Sequence, residues 1–175
     1  MKSEKNKMGK IAADMINDGD TVFIDGSSTT QFIGKYLSDK KDLTVITNNM
    51  TLVMHLSEYG IDAVCLGGHV KEPPNMLGGD EAVETAKSFH ADKIFFSLTG
   101  ISENGDCVTG NTYYELDRTM IKNSDKVFLL ISSDKIGKKA EKVVCTLENV
   151  DFLISDYDFP DNLKAKFKTT KFIKV

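Results

Sequence analysis

The sequence predicts an α/β fold: a three-layer, mainly parallel open sheet with helices on both faces. Three observations carry that expectation. Short apolar, β-branched runs recur along the chain, helical patterns separate the early ones, and segments rich in glycine, serine and asparagine punctuate them. Strands that alternate with helices read as βαβ units, whose sheet is parallel and covered on both sides.

The elements follow in order. A helix is expected over 5–17, where Met8, Ile11, Ala12, Met15 and Ile16 recur at helical spacing until Asp18-Gly19-Asp20 ends the pattern. The run 21–24 reads as the first strand, and similar runs at 43–46, 63–66, 94–98, 127–131 and 152–154 read as further strands. Helical patterns occupy 30–37, 50–58, 81–89 and 112–124. A short helix over 163–167 and a last strand over 172–175 complete the chain. No internal repeat, low-complexity tract or linker divides it, so residues 1–175 form one domain, within the roughly 100–200 residues usual for one.

Composition bounds the function. With 41% hydrophobic and 27% charged residues the chain is globular, and its net charge of −4 argues against a stand-alone nucleic-acid binder. The lysines of the tail (Lys164, Lys166, Lys168, Lys171, Lys174) read as a solvated face. Cys65, Cys107 and Cys145 are odd in number and far apart in sequence, against a disulfide framework or zinc site and in keeping with a reducing cytoplasm. Cys65 and Cys145 lie in apolar runs and are expected to be small buried residues. His55, His69 and His90 lack ligand spacing, so neither a metal nor another cofactor is called for. The sequence carries no signal peptide and no apolar run long enough to span a bilayer, which points to a cytoplasmic protein with no membrane partner.

In open α/β sheets ligands bind beyond the carboxyl ends of the strands. Five predicted strands end in small, polar or glycine-rich residues: Asp25-Gly26-Ser27-Ser28-Thr29-Thr30, Thr47-Asn48-Asn49, Gly67-Gly68, Thr99-Gly100-Ile101-Ser102, and Ser132-Ser133-Asp134-Lys135. The first leads into a helix. Unpaired N–H groups there, with the hydroxyls of Ser27, Ser28, Thr29 and Thr30, suit an anion such as phosphate. Helix capping is the plainer explanation, but a cap needs one hydroxyl and the loop offers four in succession. No Gly-Lys-Ser/Thr follows, so this is not a nucleotide-hydrolysing loop. Thr47 and Asn48 read either as another cap or as groups that meet sugar hydroxyls, and Gly67-Gly68 either as a turn or as backbone brought close to a ligand. The span 67–77, with Pro73-Pro74, reads as a loop over the site. Lys135 is either an exposed charge or a partner for an anionic ligand, and Glu115 and Arg118 pair across one helical turn.

These pieces, in this order, resemble the C-terminal effector domain of the DeoR family of bacterial repressors. The resemblance runs through KMGKIAADMINDGDTVFID, GSSTT, LTVITNN, CLGGHV, LGGDEAVE, FSLTGISENG, ELDRTMIKNSDKVFLLISSDK and VDFLISD, nearly the whole chain. It implies a fold like that of ribose-5-phosphate isomerase and the CoA transferases. It also implies an oligomeric, dimeric or tetrameric, cytoplasmic sensor that binds a phosphorylated sugar and thereby modulates operator binding. On this resemblance residues 25–30 are a variant of the family's phosphate loop, Thr47-Asn48 its T-N pair and Lys135 its late lysine, with Ser132 where an aspartate is usual. The resemblance further implies that a winged helix-turn-helix making the DNA contacts is absent from this chain, and that 5–17 is the helix linking the two parts. A sugar-phosphate isomerase is the rival. Against the isomerases, Asp117 falls near their glutamate, Val108 near their lysine, and Thr99-Gly100-Ile101-Ser102 replaces their Asp-rich strand end. Isomerisation needs a placed base and a cationic or donor group for the enediolate, so the incomplete set favours binding of the ligand by Asp25–Thr30, Thr47, Asn48, Gly67, Gly68, Thr99, Gly100, Asp117 and Lys135 over catalysis. A bare oligomerisation module with a vestigial pocket is the third reading.

Overall fold

A computed structural model describes residues 2–70 and 76–175. The chain opens with helix α1 (Lys2–Asp14), which buries Met8, Gly9, Ala12 and Ala13 along one face. Strand β1 (Thr21–Ile24) follows, then a 3₁₀ helix (Thr30–Tyr36), β2 (Thr44–Thr47), α2 (Met50–Glu58) and β3 (Asp62–Cys65). A hairpin of β4 (His69–Val70) and β5 (Leu77–Gly78) leads to α3 (Asp80–Lys87) and β6 (Ala91–Phe96). After β7 (Gly100–Ile101) and β8 (Asp106–Thr109) come α4 (Tyr114–Lys122), β9 (Ser124–Leu130), β10 (Lys142–Thr146), β11 (Phe152–Ser155), α5 (Asp161–Lys166) and β12 (Lys171–Lys174).

Seven strands form one sheet in the order β12-β11-β9-β6-β1-β2-β3, and every neighbouring pair is parallel. Alternation along the strands assigns side chains to two cores, as a pleated strand requires. Val22 and Ile24 of β1, Phe95, Phe128, Leu130 and Ile154 pack under α1, the 3₁₀ helix and α2. Phe23, Ile94, Phe96, Leu129 and Leu153 face the other way, against Ala82 and Ala86 of α3 and Leu116 and Met120 of α4. Three aromatic rings cross the strands on the first face: Phe95, Phe128 and Phe152 stack with centroids 4.6 Å apart in each pair.

The three-layer parallel sheet is therefore the expected one, with differences of detail. The helix expected over 30–37 is a 3₁₀ helix over Thr30–Tyr36. The sequence reading also missed a three-stranded antiparallel sheet, β10-β8-β7, and the β4–β5 hairpin, both of which lie outside the main sheet. Cys65 is exposed, because β3 is an edge strand with one face to solvent; Cys145 is half-buried and Cys107 fully buried. Cys107 and Cys145, far apart in sequence, are register partners across β8 and β10, and the neighbouring Cys145 together with burial pushes the Cys107 thiol well up. The tail lysines are surface groups: Lys164 and Lys174 both reach Asp158. Among the described residues no helix is long and apolar enough to cross a membrane.

Candidate functional site

The strand order reverses between β1 and β6. From β1 the chain builds outward through β2 and β3; from β6 it builds the other way through β9, β11 and β12. Such a switch point leaves a crevice at the carboxyl ends of the two central strands. A cleft of about 450 Å³ lies there, lined by residues at or just beyond the ends of β1 (Asp25, Ser27, Ser28), β6 (Ser97, Leu98, Thr99), β8 (Thr109, Asn111) and β9 (Lys135, Lys138), with Asp117 from α4 and Met76. A smaller concavity of about 260 Å³ between α1, the 3₁₀ helix and α2 lies apart from this convergence of strand ends.

Asp25 organises the floor. Its backbone N–H continues the ladder to Phe95, and its carboxylate accepts from the Ser97 N–H at 2.9 Å, the Thr30 hydroxyl at 2.5 Å and the Ser27 N–H at 3.3 Å. One buried carboxylate thus ties the ends of β1 and β6 together. Burial pushes its pKa up, against the lowering effect of those bonds. Thr30 is spent within the loop, bonded to Asp25 and to the Ser27 hydroxyl at 2.8 Å. The rest of the loop is not. Among the described residues no acceptor faces the N–H groups of Gly26, Ser28 and Thr29, and the buried Thr29 hydroxyl has no partner.

Asp117 projects from the first turn of α4 between the core residues Leu116 and Met120 and is itself 6% exposed. Burial first, and the nearby Asp25 second, push its carboxyl well above the ordinary carboxylate range. No hydrogen bond reaches that carboxyl among the described residues. Its helix neighbours Glu115 and Arg118 pair with each other at 2.8 Å on the outer face, as their spacing predicted.

Lys135 extends from the 3₁₀ turn after β9 and donates to the Ser97 hydroxyl at 3.3 Å. No carboxylate lies within ion-pair distance of it among the described residues. Burial first, then the ammonium of Lys5, pull its pKa below the ordinary lysine value, while Asp25 and Asp134 oppose them. Ser132, where the family pattern has an aspartate, donates to Asp134 at 2.6 Å and so holds that carboxylate low.

The cleft thus gathers Asp25, Ser27, Ser28, Thr99, Asp117 and Lys135 of the expected set, with Gly26, Thr29 and Thr30 in the loop behind its wall. Five others stand elsewhere. Thr47 accepts from the Asn49 N–H, and Asn48 clamps the hairpin by donating to the Leu77 carbonyl at 2.8 Å; its Oδ1 is buried beside Gly26 without a partner among the described residues. What approaches Gly68 is the Gly78 carbonyl, which would lie 2.4 Å from an added Cβ, and a Cβ on Gly67 would meet no atom of the described residues within 4 Å. Gly100 packs against Lys135 and Lys138 backbone and not at the cleft wall. Of the loop expected over the site, Met76 is in the cleft, and Pro73-Pro74 lie outside the described residues. Sequence reasoning missed Ser97, Leu98, Thr109, Asn111 and Lys138. Among the described residues no group of three or more His, Cys, Asp or Glu side chains is placed to hold a metal ion.

Residues 1–157 match the family model described as the DeoR C-terminal sensor domain. The chain belongs to that family. It is 36% identical over 154 residues to the HTH-type transcriptional repressor GlcR of Bacillus subtilis, covering 87% of this chain and 59% of GlcR. It is 30% identical over 167 residues to the HTH-type transcriptional regulator GolR of Listeria innocua, covering 94% of this chain and 66% of GolR. The sensor domain therefore spans about three-fifths of the length of these relatives. Among solved structures, ribose 5-phosphate isomerase from Plasmodium falciparum superposes with a TM-score of 0.57 at 13% identity, over 78% of this chain and 53% of that one. The eIF2B delta subunit from Chaetomium thermophilum superposes with 0.61 at 17%, over 91% and 59%. An isomerase and a translation-factor subunit on one fold mean that the fold alone does not assign an activity.

Proposed function

We propose that this sensor domain binds a phosphorylated sugar in the switch-point cleft and reports its occupancy to a DNA-binding part of a transcriptional repressor. The observation that carries the reading is Lys135. Among the described residues its half-buried ammonium meets only the Ser97 hydroxyl, opposite a loop whose free N–H groups await an acceptor. Removing an ammonium from water costs free energy unless a counter-charge meets it. A phosphate between Lys135 and the Ser27–Thr29 loop supplies that charge and takes up the loop's donors. Asp117, its carboxyl kept toward the neutral form, offers both a donor and an acceptor to sugar hydroxyls, and Thr99, Thr109 and Asn111 add polar groups along the same wall.

The names of the relatives support the regulatory half of the reading: both are described as HTH-type transcriptional regulators. On this account the chain acts in the cytoplasm as a dimer or tetramer, contacts operator DNA only through a winged helix-turn-helix, and needs no cofactor. Ligand affinity that differs between two arrangements of the protomers sets the size of the response.

Catalysis is the second reading, favoured by the buried Asp117 carboxyl in the cleft and by the isomerase fold. Against it, the position that resembles the isomerase lysine is Val108, an apolar residue buried in β8. Thermal melts with millimolar pentose and hexose phosphates, each beside its unphosphorylated parent, test the proposal, because a ligand of the folded state raises the melting temperature by mass action. The expected result is a rise with at least one phosphorylated sugar and none with its parent. No rise with any of them contradicts binding, and turnover of ribose 5-phosphate abolished by Asp117→Asn contradicts a purely sensory role.

A further inference from the structure

The first helix of the chain reaches the wall of the cleft. Met8, Gly9, Ala12 and Ala13 pack α1 onto the 3₁₀ helix that follows the Ser27–Thr29 loop, so closely that a Cβ on Gly9 would lie 2.7 Å from Phe32 Cβ and 2.8 Å from the Phe32 carbonyl carbon. Lys5 stands one turn earlier on this face, since side chains three and four residues apart share a helix side. Its ammonium donates to the Ser28 hydroxyl at 2.8 Å, and Ser28 is part of the cleft wall.

Lys5 has no carboxylate partner among the described residues. The cleft whose wall it reaches holds another cation, Lys135. After burial, Lys5 is the strongest influence holding the Lys135 pKa down. Two ammonium groups at one cleft, Lys5 on Ser28 and Lys135 on Ser97, repel each other, and an anion between them turns that repulsion into two attractions. Lys138, also in the cleft wall, already has Asp134 at 3.7 Å to offset its charge. Lys5 has nothing comparable.

We propose that Lys5 is the outer cationic arm of the anion site, so that a phosphate bound between Lys135 and the Ser27–Thr29 loop holds the first turn of α1 on that loop. This rests on the phosphate-binding reading and adds its regulation: the charge of the ligand is felt directly by the chain's first helix. A neutral sugar gives Lys5 nothing to close on. The same group therefore both selects for a phosphorylated ligand and reports that it has arrived.

Binding of inorganic phosphate and of ribose 5-phosphate is measured by calorimetry at several salt concentrations for the wild-type chain and for Lys5→Gln, Lys5→Arg and Lys10→Gln. Lys10 is exposed on α1 and touches neither the loop nor the cleft. Amide exchange of residues 6–11 is followed with and without phosphate. The expected result is that Lys5→Gln weakens binding of both probes by about two- to fivefold, the range of an exposed charge pair, and flattens the salt dependence. Lys5→Arg should bind nearly as well as wild type, and Lys10→Gln should match it. Phosphate should slow exchange in α1 of the wild type and not of Lys5→Gln. Wild-type affinity and wild-type protection in Lys5→Gln overturn the role of Lys5 alone. A wild-type chain that binds neither probe overturns the phosphate reading itself, and the Lys5 proposal with it.

Discussion

Lys135 Nζ lies 3.3 Å from Ser97 Oγ, which brings the turn after β9 to the end of β6 beside the buried Asp25 carboxylate. Ser97 is the hinge of this arrangement: its N–H goes to Asp25 and its hydroxyl receives Lys135. One residue thus joins the floor of the cleft to its cationic wall.

Replacing Lys135 separates its binding role from any structural one. Lys135→Met keeps the aliphatic stem and removes the charge. Affinity for a phosphorylated sugar should fall at least about tenfold, as for loss of a desolvated charge-assisted bond. Stability to urea should be unchanged or slightly higher, because the ammonium has no carboxylate partner to lose. Calorimetry and urea melts on the same samples check both halves.

Asp117 gives a prediction with a pH sign. A carboxyl whose folded pKa is raised binds more protons in the folded chain than in the unfolded one, so its contribution to stability falls as pH rises from the unfolded value of about 4 through the folded value. Asp117→Asn removes that loss. The variant should therefore melt higher than wild type at pH 7–8, with the difference shrinking toward pH 4. Each unit of upward shift corresponds to about 1.4 kcal/mol at neutral pH. Melts across this range that show Asn destabilising equally at every pH would rule out a raised Asp117.

Gly9→Ala sets two effects against each other. Alanine favours the helix by about 1 kcal/mol. Its Cβ, however, meets Phe32 at 2.7 Å and the Ile33 nitrogen at 3.1 Å, and the backbone atoms among these contacts cannot turn aside. Overpacking of that kind costs about 1–3 kcal/mol. The net expectation is a less stable chain and weaker phosphate binding, as α1 lifts from the 3₁₀ helix and carries Lys5 away from Ser28. Urea denaturation and phosphate titration of the single variant measure the two consequences.

Phe128→Ala tests the core under the site. The ring is 2% exposed and stacks on both Phe95 and Phe152. Its loss should cost about 3–5 kcal/mol. Binding measured well below the variant's melting temperature should stay near wild type, since Phe128 faces α1 and not the cleft.

Much of this site was legible because a parallel sheet sends all its strand ends to one edge. Asp25, Ser27 and Lys135 each follow an apolar run, and the order of the runs was enough to gather them. Ser97 escaped through register: the strand spans Ala91–Phe96, so a residue that follows the strand was placed inside it. Thr109 and Asn111 escaped because β7, β8 and β10 are only two to five residues long, too short for alternation to distinguish them from loop. Asn48 and Gly68 stand outside the cleft for the opposite reason. A polar or glycine residue at a strand end suits a ligand and a hairpin equally well, and here the hairpin through Leu77 and Gly78 occupies both. Lys5 lay in plain view in a helix whose period shows which face it shares with Met8 and Ala12, but not what that face covers.

Recognition of a phosphate on a sugar by the cleft is tested by calorimetric titration of the wild-type chain and Lys135→Met with the phosphorylated sugar that raises the melting temperature most, and with its unphosphorylated parent. Expected are binding of the phosphorylated form to wild type, no measurable binding of the parent, and at least about a tenfold loss in Lys135→Met. Equal affinity for the two sugars, or an unchanged affinity in Lys135→Met, would contradict it.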